Sequence, residues 1–224
     1  MKAMILAAGR GERMRPLTDH TPKPLLQVAG KALIEYSLEK LAAAGFAEIV
    51  VNVAYLGRQI RDYCGDGSRW NISIEYSDEG AEALETAGGI AKALPLLGER
   101  PFLAVNADIL CDYPLAALRD KSIDLAHLVL IDNPPHHPQG DFCLRENGLV
   151  SEAGQPKFTF SGIGVYHPDL FADVPVGQAL KLRPVLNRVM LQSRVSGEYF
   201  NGRWQDIGTP ERLRAISASL GCSG

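Results

Sequence analysis

An α/β fold of the Rossmann-like kind, with a largely parallel sheet covered by helices, is what this sequence predicts, and three observations carry the prediction. Short apolar runs alternate with amphipathic helical patterns over the first 132 residues, a glycine loop follows the first run, and a later run ends in an aspartate. Alternation of this kind implies parallel strands joined by right-handed crossovers, with helices lying on the faces of the sheet. Ligands in such open sheets sit beyond the carboxyl ends of the strands.

Taken in order, residues 3–7 read as a strand, and 31–44 as a helix with Leu33, Ile34, Leu38 and Leu41 on one face and Gly45 as its stop. Residues 48–54, Glu-Ile-Val-Val-Asn-Val-Ala, are a second strand. The period repeats with a helix near 56–64, a strand at 72–77, a helix near 86–97, a strand at 101–106 and a β-rich run at 124–132. From residue 140 the texture changes. Phe142-Cys143-Leu144 and Leu149-Val150 flank Arg-Glu-Asn-Gly, a hairpin signature, and 158–166 is another β stretch, so a smaller β-rich lobe is expected. Thr209 and Pro210 read as the N-cap and first residue of a helix over 211–220. With no repeat or Ser/Gly linker, the chain reads as one domain: a core over 1–132, a lobe over 133–200 and a closing segment over 201–224.

A chain of 224 residues with 46% hydrophobic and 22% charged residues has the composition of a soluble globular protein. No stretch approaches the roughly 20 apolar residues of a membrane span, and Met1-Lys2-Ala3-Met4-Ile5-Leu6 reads as a strand, not a signal peptide. Cys64, Cys111, Cys143 and Cys222 are scattered without a Cys-x-x-Cys pair, which suggests neither a disulfide framework nor a zinc site. A cytoplasmic location is expected. The formal net charge of −3 argues against general nucleic-acid binding. The cations gather locally, at residues 10–31.

That local charge is the main chemical signal. In residues 5–26 a strand runs into a loop where Gly9 and Gly11 allow backbone N–H groups to approach an anion, and Arg13 and Lys23 add positive charge. Neither of two familiar phosphate motifs fits: Met14 occupies the third glycine position of a dinucleotide fingerprint, and Glu12-Arg13-Met14 is no Walker lysine and serine. Pro22 and Pro24 are expected to hold the backbone extended on both sides of Lys23. A second signal is Pro101-Phe-Leu-Ala-Val-Asn-Ala-Asp108, a strand delivering a carboxylate to its mouth. That is a common way of holding Mg²⁺, which takes one or two carboxylates and completes its shell with water and phosphate oxygens; it is also an ordinary place for a turn residue or N-cap. Asp206, in Trp204-Gln205-Asp206-Ile207-Gly208-Thr209-Pro210, is a candidate second carboxylate or a plain strand-end residue. His136 and His137 read as a solvated loop, not as metal ligands.

Together these residues resemble the sugar-1-phosphate nucleotidyltransferases, which make nucleoside-diphosphate sugars from nucleoside triphosphates. Leu6-Ala7-Ala8-Gly9-x-Gly11-x-Arg13-x-x-Pro16-Leu17-Thr18 with Pro22-Lys23-Pro24 matches the family signature, and Asn106-Ala107-Asp108 and Trp204-x-Asp206-x-Gly208-Thr209 match its two metal-binding elements. Gly140, Glu152 and Ser161-Gly162-Ile163-Gly164-Val165-Tyr166 match the sugar lobe, and Asn187-Arg188 more loosely a sugar-side Asn-Arg. The resemblance implies a three-layer Rossmann-like fold with a small β-rich sugar-binding lobe. It implies Mg²⁺ on Asp108 and Asp206 and a nucleotide held by Ala8, Gly9, Gly11, Glu12, Arg13, Lys23, Glu79, Glu85 and Thr86. It further implies a sugar 1-phosphate held by Asn106, Gly140, Glu152 and Asn187. Arg13, Lys23, Asp108 and Asp206 would carry catalysis.

Departures narrow the match. The base loop is Leu84-Glu85-Thr86-Ala87-Gly88-Gly89, Ala107 stands where a glycine is usual, and the Glu-Lys-Pro of the sugar lobe is broken, with Ala153 after Glu152 and the next lysine at Lys157. In this combination the chain resembles the N-acetylmuramate-1-phosphate uridylyltransferases of bacterial cell-wall recycling. Glu79 or Glu85 would accept a hydrogen bond from the imide N–H of uracil or thymine, or is a surface acid. A lactyl carboxylate on the acceptor would need a cation or water, with Lys157, Arg183 and Arg188 as candidates. The other readings are a guanylyl- or thymidylyltransferase acting on mannose or glucose 1-phosphate, a cytidylyltransferase acting on non-sugar phosphates, and a non-catalytic nucleotide sensor. Oligomeric state is not legible.

Overall fold

The computed structural model describes residues 1–221; Cys222 lies outside the described residues. In chain order the strands are β1 (Ala3–Leu6), β2 (Gln27–Val28), β3 (Lys31–Ala32), β4 (Glu48–Val53), β5 (Ser73–Asp78), β6 (Phe102–Asn106) and β7 (Ile109–Cys111), then β8 (Ala126–Ile131), β9 (Phe142–Leu144), β10 (Val150–Ser151), β11 (Lys157–Tyr166), β12 (Val195–Tyr199) and β13 (Trp204–Asp206). The helices are α1 (Leu33–Ala43), α2 (Gly57–Cys64), α3 (Glu85–Leu97), α4 (Leu182–Met190) and α5 (Pro210–Gly221).

A nine-stranded mixed sheet forms the centre. Strands β6, β1, β4 and β5 are mutually parallel, as the alternation predicts, with Ile5 in register with Val51 on one side and Val105 on the other. The sheet then reverses direction. β11 runs antiparallel to β6 and β8, β9 and β10 continue its outer end, and β12 joins β8 in parallel. The β-rich segment after residue 140 is therefore an extension of the same sheet.

Because successive side chains on a strand face opposite ways, the two faces carry separate cores. Ile5, Val51, Leu103 and Val105 pack with Ile34, Leu38 and Leu41 of α1 and Ile60 of α2. Met4, Val50, Phe102 and Ala104 pack with Ala87, Ile90 and Ala93 of α3 and Val185, Leu186 and Val189 of α4. These are the three layers of the expected fold. A third cluster, Met14, Leu26, Val28, Leu33, Ile207 and Ile216, ties the glycine loop to α5. Met14 and Ile207 are wholly buried there, so the loop is anchored by apolar burial of the order of 2 kcal/mol for each large side chain.

Three features differ from expectation. Lys23–Leu25 forms a 3₁₀ turn, so the chain is extended at Pro22 but turns through Pro24; Leu25 N–H donates to the Pro22 carbonyl at 2.8 Å, and a proline near the start of such a turn lacks only an N–H that would have no partner there. Helix α4 and strand β12 occupy a stretch read only as part of the lobe. β7 and β13 pair with each other as a separate two-stranded ribbon outside the main sheet. The N-cap reading of Thr209 holds: its Oγ1 accepts from the Arg212 N–H at 3.4 Å, and α5 begins at Pro210. Among the described residues no helix is long and apolar enough to cross a membrane.

Candidate active site

The parallel strands deliver their carboxyl ends to one place. The loop after β1 begins with the Ala7 N–H donating to Asn52 Oδ1 at 2.7 Å, and Asn52 Nδ2 donates to Glu79 Oε1 at 2.6 Å. The other oxygen, Glu79 Oε2, accepts from the Leu84 N–H at 2.6 Å. Glu79 is 6% exposed, and burial pushes its carboxyl above the usual range although both hydrogen bonds oppose the shift. This buried chain ties the glycine loop to the loop before α3. Gly89 makes it possible, since a Cβ there would lie 2.3 Å from Glu79 Oε1. Glu79 thus lines the cavity with both oxygens already engaged.

Gly11 has φ +71, a left-handed conformation that favours glycine, and a Cβ on it would lie 3.0 Å from Lys23 Cβ. Its carbonyl accepts from Thr18 Oγ1 at 2.9 Å and the Met14 N–H at 2.8 Å, closing the loop. With Met14 buried, the neighbouring Glu12 and Arg13 are left exposed. Arg10 pairs with Glu12 and lies over the Tyr55 ring at 4.2 Å; Arg13 forms no ion pair among the described residues. A cavity of about 420 Å³ opens here, and every nucleotide-side residue expected from sequence lines it: Ala8, Gly9, Gly11, Glu12, Arg13, Lys23, Glu79, Glu85 and Thr86, joined by Asn106 and Asp108.

Asp108 follows β6, and Lys23 donates to its Oδ2 as an ion pair. The β7–β13 ribbon sets Asp206 opposite Ile109, and the Ile207 N–H donates to the Asp108 carbonyl at 2.8 Å, so Asp206 at the end of β13 lies beside the turn that carries Asp108 into β7. The Asp206 carboxylate is engaged by residues outside the loop: it accepts from Arg212 Nη1 at 2.5 and 2.6 Å and lies 3.0 Å from His136 Nε2. Gly208 leaves room for that pair, as its Cβ would lie 2.4 Å from Arg212 Nη2. His136 is therefore not simply a solvated loop residue, and His137 Nε2 sits 3.2 Å from Asp141 Oδ1. The His136 contacts are long-range, with Arg212 76 residues away, and local sequence does not reveal them. Among the described residues no three acid, His or Cys side chains converge into a cage for a metal. Asp108 lines the cavity at the glycine loop, whereas Asp206 lines a neighbouring one with His136 and Arg212; the two carboxylates are of the kind that Mg²⁺ takes when water and phosphate oxygens complete its shell.

A second cavity, about 290 Å³, shares Leu6, Glu85, Thr86 and Asn106 with the first. Its lining is largely apolar, with Ala104, Phe142, Phe160, Tyr166, Leu182 and Leu186, and Asp141, Lys181 and Arg183 join Glu85 as its charged side chains. Gly162 (φ +79) lets β11 pass close to Asn106; a Cβ there would lie 2.6 Å from Asn106 Nδ2. Glu152 and Asn187 stand behind the walls. Asn187 Nδ2 donates to Glu152 Oε2 at 2.7 Å, and Arg183 Nη2 donates to Glu152 Oε1 at 3.4 Å. The buried Asn187 Oδ1 has no hydrogen-bond partner among the described residues. Gly140 (φ +63) serves packing, because a Cβ there would lie 2.6 Å from Asn133 Oδ1 and 2.9 Å from the Lys157 carbonyl oxygen. Sequence reasoning missed Asp141, Lys181 and Arg212; only the Gly140-Asp141 pair at the hairpin entry gave a local signal.

Comparison with known proteins is consistent with this geometry. The family model described as nucleotidyl transferase matches residues 2–221. The chain is 54% identical over 228 residues to N-acetylmuramate alpha-1-phosphate uridylyltransferase of Neisseria meningitidis serogroup B, covering 99% of both chains. It is 36% identical to the protein of the same name from Caulobacter vibrioides, covering 97% of this chain and 96% of that one. A crystal structure of a Bacillus anthracis protein assigned as a glucose-1-phosphate thymidylyltransferase, in complex with sucrose, superposes with a TM-score of 0.84 over 99% of this chain and 95% of that one. At 20% identity that likeness is one of fold.

Proposed function

The chain belongs to the nucleotidyl transferase family, and from that premise we propose that it transfers UMP from UTP to N-acetylmuramate 1-phosphate, releasing pyrophosphate, with Mg²⁺ as cofactor. The observation that carries the reading is the arrangement of two contiguous cavities, one walled by the glycine loop, Arg13 and Lys23, the other by apolar and charged side chains suited to a sugar. Names of full-length relatives at 54% and 36% identity supply the uridylyl group and the acceptor.

Two polyanions must meet. An oxygen of the sugar phosphate attacks the α-phosphorus of the triphosphate, the α–β bridging bond breaks, and pyrophosphate leaves in line. The nucleophile is already ionised at neutral pH, so no general base is required. Alignment and charge neutralisation dominate, as in other phosphoryl-group transfers. The backbone N–H groups around Gly9 and Gly11 and the unpaired Arg13 bind the β- and γ-phosphates and the charge that develops on them. Lys23, held by Asp108, is directed at the α-phosphate. Asp108 and Asp206 would hold Mg²⁺, which supplies Lewis-acid neutralisation of phosphate oxygens when bound. Arg212 and His136 hold the Asp206 carboxylate through the same oxygens that a metal would share. Asn106, on the shared wall, is placed to bind the acceptor, and Glu152 and Asn187 support that wall through Arg183.

For the base, Glu85 and Thr86 are the groups left to read the uracil edge, because Glu79 is occupied by Asn52 and the Leu84 N–H. A cytoplasmic enzyme fits a chain whose described cysteines, Cys64, Cys111 and Cys143, are free thiols.

The test is a panel. Purified protein with Mg²⁺ is offered UTP, dTTP, GTP or CTP, each with N-acetylmuramate, N-acetylglucosamine, glucose or mannose 1-phosphate, and pyrophosphate is measured. Preference for UTP with N-acetylmuramate 1-phosphate is expected. A GTP or dTTP preference removes the uridylyl assignment, and no release with any pair leaves a nucleotide-binding sensor.

A further inference from the structure

We propose that Lys181 is the residue that selects an acidic acceptor, its ammonium group receiving the ether-linked carboxylate of the sugar. The inference rests on the N-acetylmuramate reading above and assigns that sugar's distinguishing group to one side chain.

The cations near the second cavity differ in what already holds them. Arg183 donates to Asp141 Oδ1 at 3.5 Å and to Glu152 Oε1 at 3.4 Å, and its guanidinium lies 5.5 Å from the centre of the Phe142 ring. Arg188 pairs with Asp173 at 2.7 Å and does not line the cavity. Lys157 does not line it either. Lys181 does, and among the described residues it has neither an ion pair nor a side-chain hydrogen bond.

Its backbone is nonetheless fixed. Lys181 is the extended residue (φ −72, ψ 148) that caps α4. The Leu180 N–H donates to the Leu84 carbonyl at 3.0 Å, and the Leu180 carbonyl accepts from the Ala87 and Gly88 N–H groups at 2.9 and 3.2 Å. Gly88 permits this contact, since a Cβ there would lie 2.1 Å from the Gln178 carbonyl oxygen. Residues 178–181 are thereby stapled to the turn that carries Glu85 and Thr86, on the wall shared by the two cavities.

Lys181 lines only the second cavity. An acceptor whose phosphate lies toward Asn106 and Asp108 presents the far side of its ring to Lys181. A neutral sugar gains nothing from a charge there. Lys181 and Glu85 are exposed, so the part of the cation is to offset the repulsion that Glu85 and Asp141 exert on a carboxylate; a hydrogen bond between charged groups contributes about 1.5–3 kcal/mol, or roughly 10- to 100-fold in affinity.

The experiment compares wild type with Lys181→Ala, Lys181→Glu and Lys181→Arg, using UTP with either N-acetylmuramate 1-phosphate or N-acetylglucosamine 1-phosphate, the same sugar without the lactyl ether. Lys181→Ala should raise KM for the acidic acceptor about 10- to 100-fold with little change in kcat or in KM for UTP. The ratio of kcat/KM for the acidic over the neutral sugar should fall by the same factor. Lys181→Glu should lower that ratio further and Lys181→Arg restore most of it. An unchanged ratio in Lys181→Ala, or an equal loss with both sugars, overturns the assignment. Failure of wild type to prefer the acidic sugar overturns the acceptor reading itself, and is seen before any variant is made.

Discussion

Lys23 and Asp108, 85 residues apart in sequence, form an ion pair at the mouth of the sheet. Lys23 is 13% exposed and Asp108 26% exposed, so each is partly desolvated, and each fixes the direction of the other. The pair joins the glycine loop to the carboxylate that follows β6. Replacing Lys23 with Ala leaves Asp108 uncompensated and removes charge from the α-phosphate region. A fall in kcat/KM on the order of 100-fold is expected, read by pyrophosphate release; an unchanged value would reduce Lys23 to a loop residue.

Asp108→Asn and Asp206→Asn each remove one negative charge from the pair proposed to hold Mg²⁺. Turnover should fall by about 100-fold or more in each, while far-UV circular dichroism remains that of wild type. The two should also share a raised Mg²⁺ requirement in titrations of activity. Near-normal rates in either variant would place the metal elsewhere.

Gly89→Ala probes the buried link between Asn52 and Glu79. Its new Cβ would lie 2.3 Å from Glu79 Oε1 and 3.0 Å from Asn52 Nδ2, so the carboxylate must move and the Ala7 and Leu84 N–H groups lose their alignment. Urea unfolding should show a loss of about 1–3 kcal/mol, and KM for the triphosphate should rise. A wild-type unfolding midpoint would contradict the role given to this link.

Acid sensitivity should come from a cluster remote from the site. His127 Nδ1 lies 2.8 Å from Ser196 Oγ and its Nε2 3.1 Å from Glu198 Oε2, and Glu198 also accepts from Lys121 at 2.6 Å and from the Tyr113 hydroxyl. A neutral ring with its proton on Nε2 donates to Glu198 and accepts from Ser196. Burial, helped by the Lys121 charge, lowers the His127 pKa from its ordinary 6.5, partly offset by Glu198. Below pH 6.5 the unfolded chain therefore takes up a proton before the folded one, and stability falls with pH until the lowered folded value is passed. For Glu198, burial favours the neutral form, but hydrogen bonds from Lys121 and Tyr113 outweigh it and lower the pKa from 4.5. Its contribution is present above about 4.5 and is lost as pH falls through the lower folded value. Urea unfolding from pH 8 to pH 4 should show a decline beginning near 6.5, reduced between pH 6.5 and 5 in His127→Gln. The same slope in wild type and variant would remove His127 from the account.

Much of this was legible in sequence for a physical reason. Parallel strands buried on both faces read as apolar runs, and the phosphate loop is local, needing only Gly9, Gly11, Arg13 and a nearby Lys23. What escaped was set by contacts distant in the chain. Helix α4 has apolar residues at Leu182, Val185, Leu186, Val189 and Met190 on one side, but Pro184 breaks the pattern; in the structure it sits in the first turn, where its missing N–H costs nothing. The Arg212–Asp206–His136 group joins residues as far as 76 apart, and neither histidine nor arginine carries a local sign of it. Glu79 reads in sequence either as an acceptor for a nucleobase or as one more acid in Asp78-Glu79-Gly80-Ala81-Glu82, and only the fold shows it buried between two loops.

The central claim is that the glycine loop holds the leaving phosphates while the acceptor phosphate attacks the α-phosphorus. The most direct measurement follows radiolabel from UTP with N-acetylmuramate 1-phosphate and Mg²⁺. Label at the α-phosphate should appear in the nucleoside-diphosphate sugar, and label at the γ-phosphate should appear only in pyrophosphate. Label from the γ-phosphate in the sugar product, or its release as inorganic phosphate, would contradict the account.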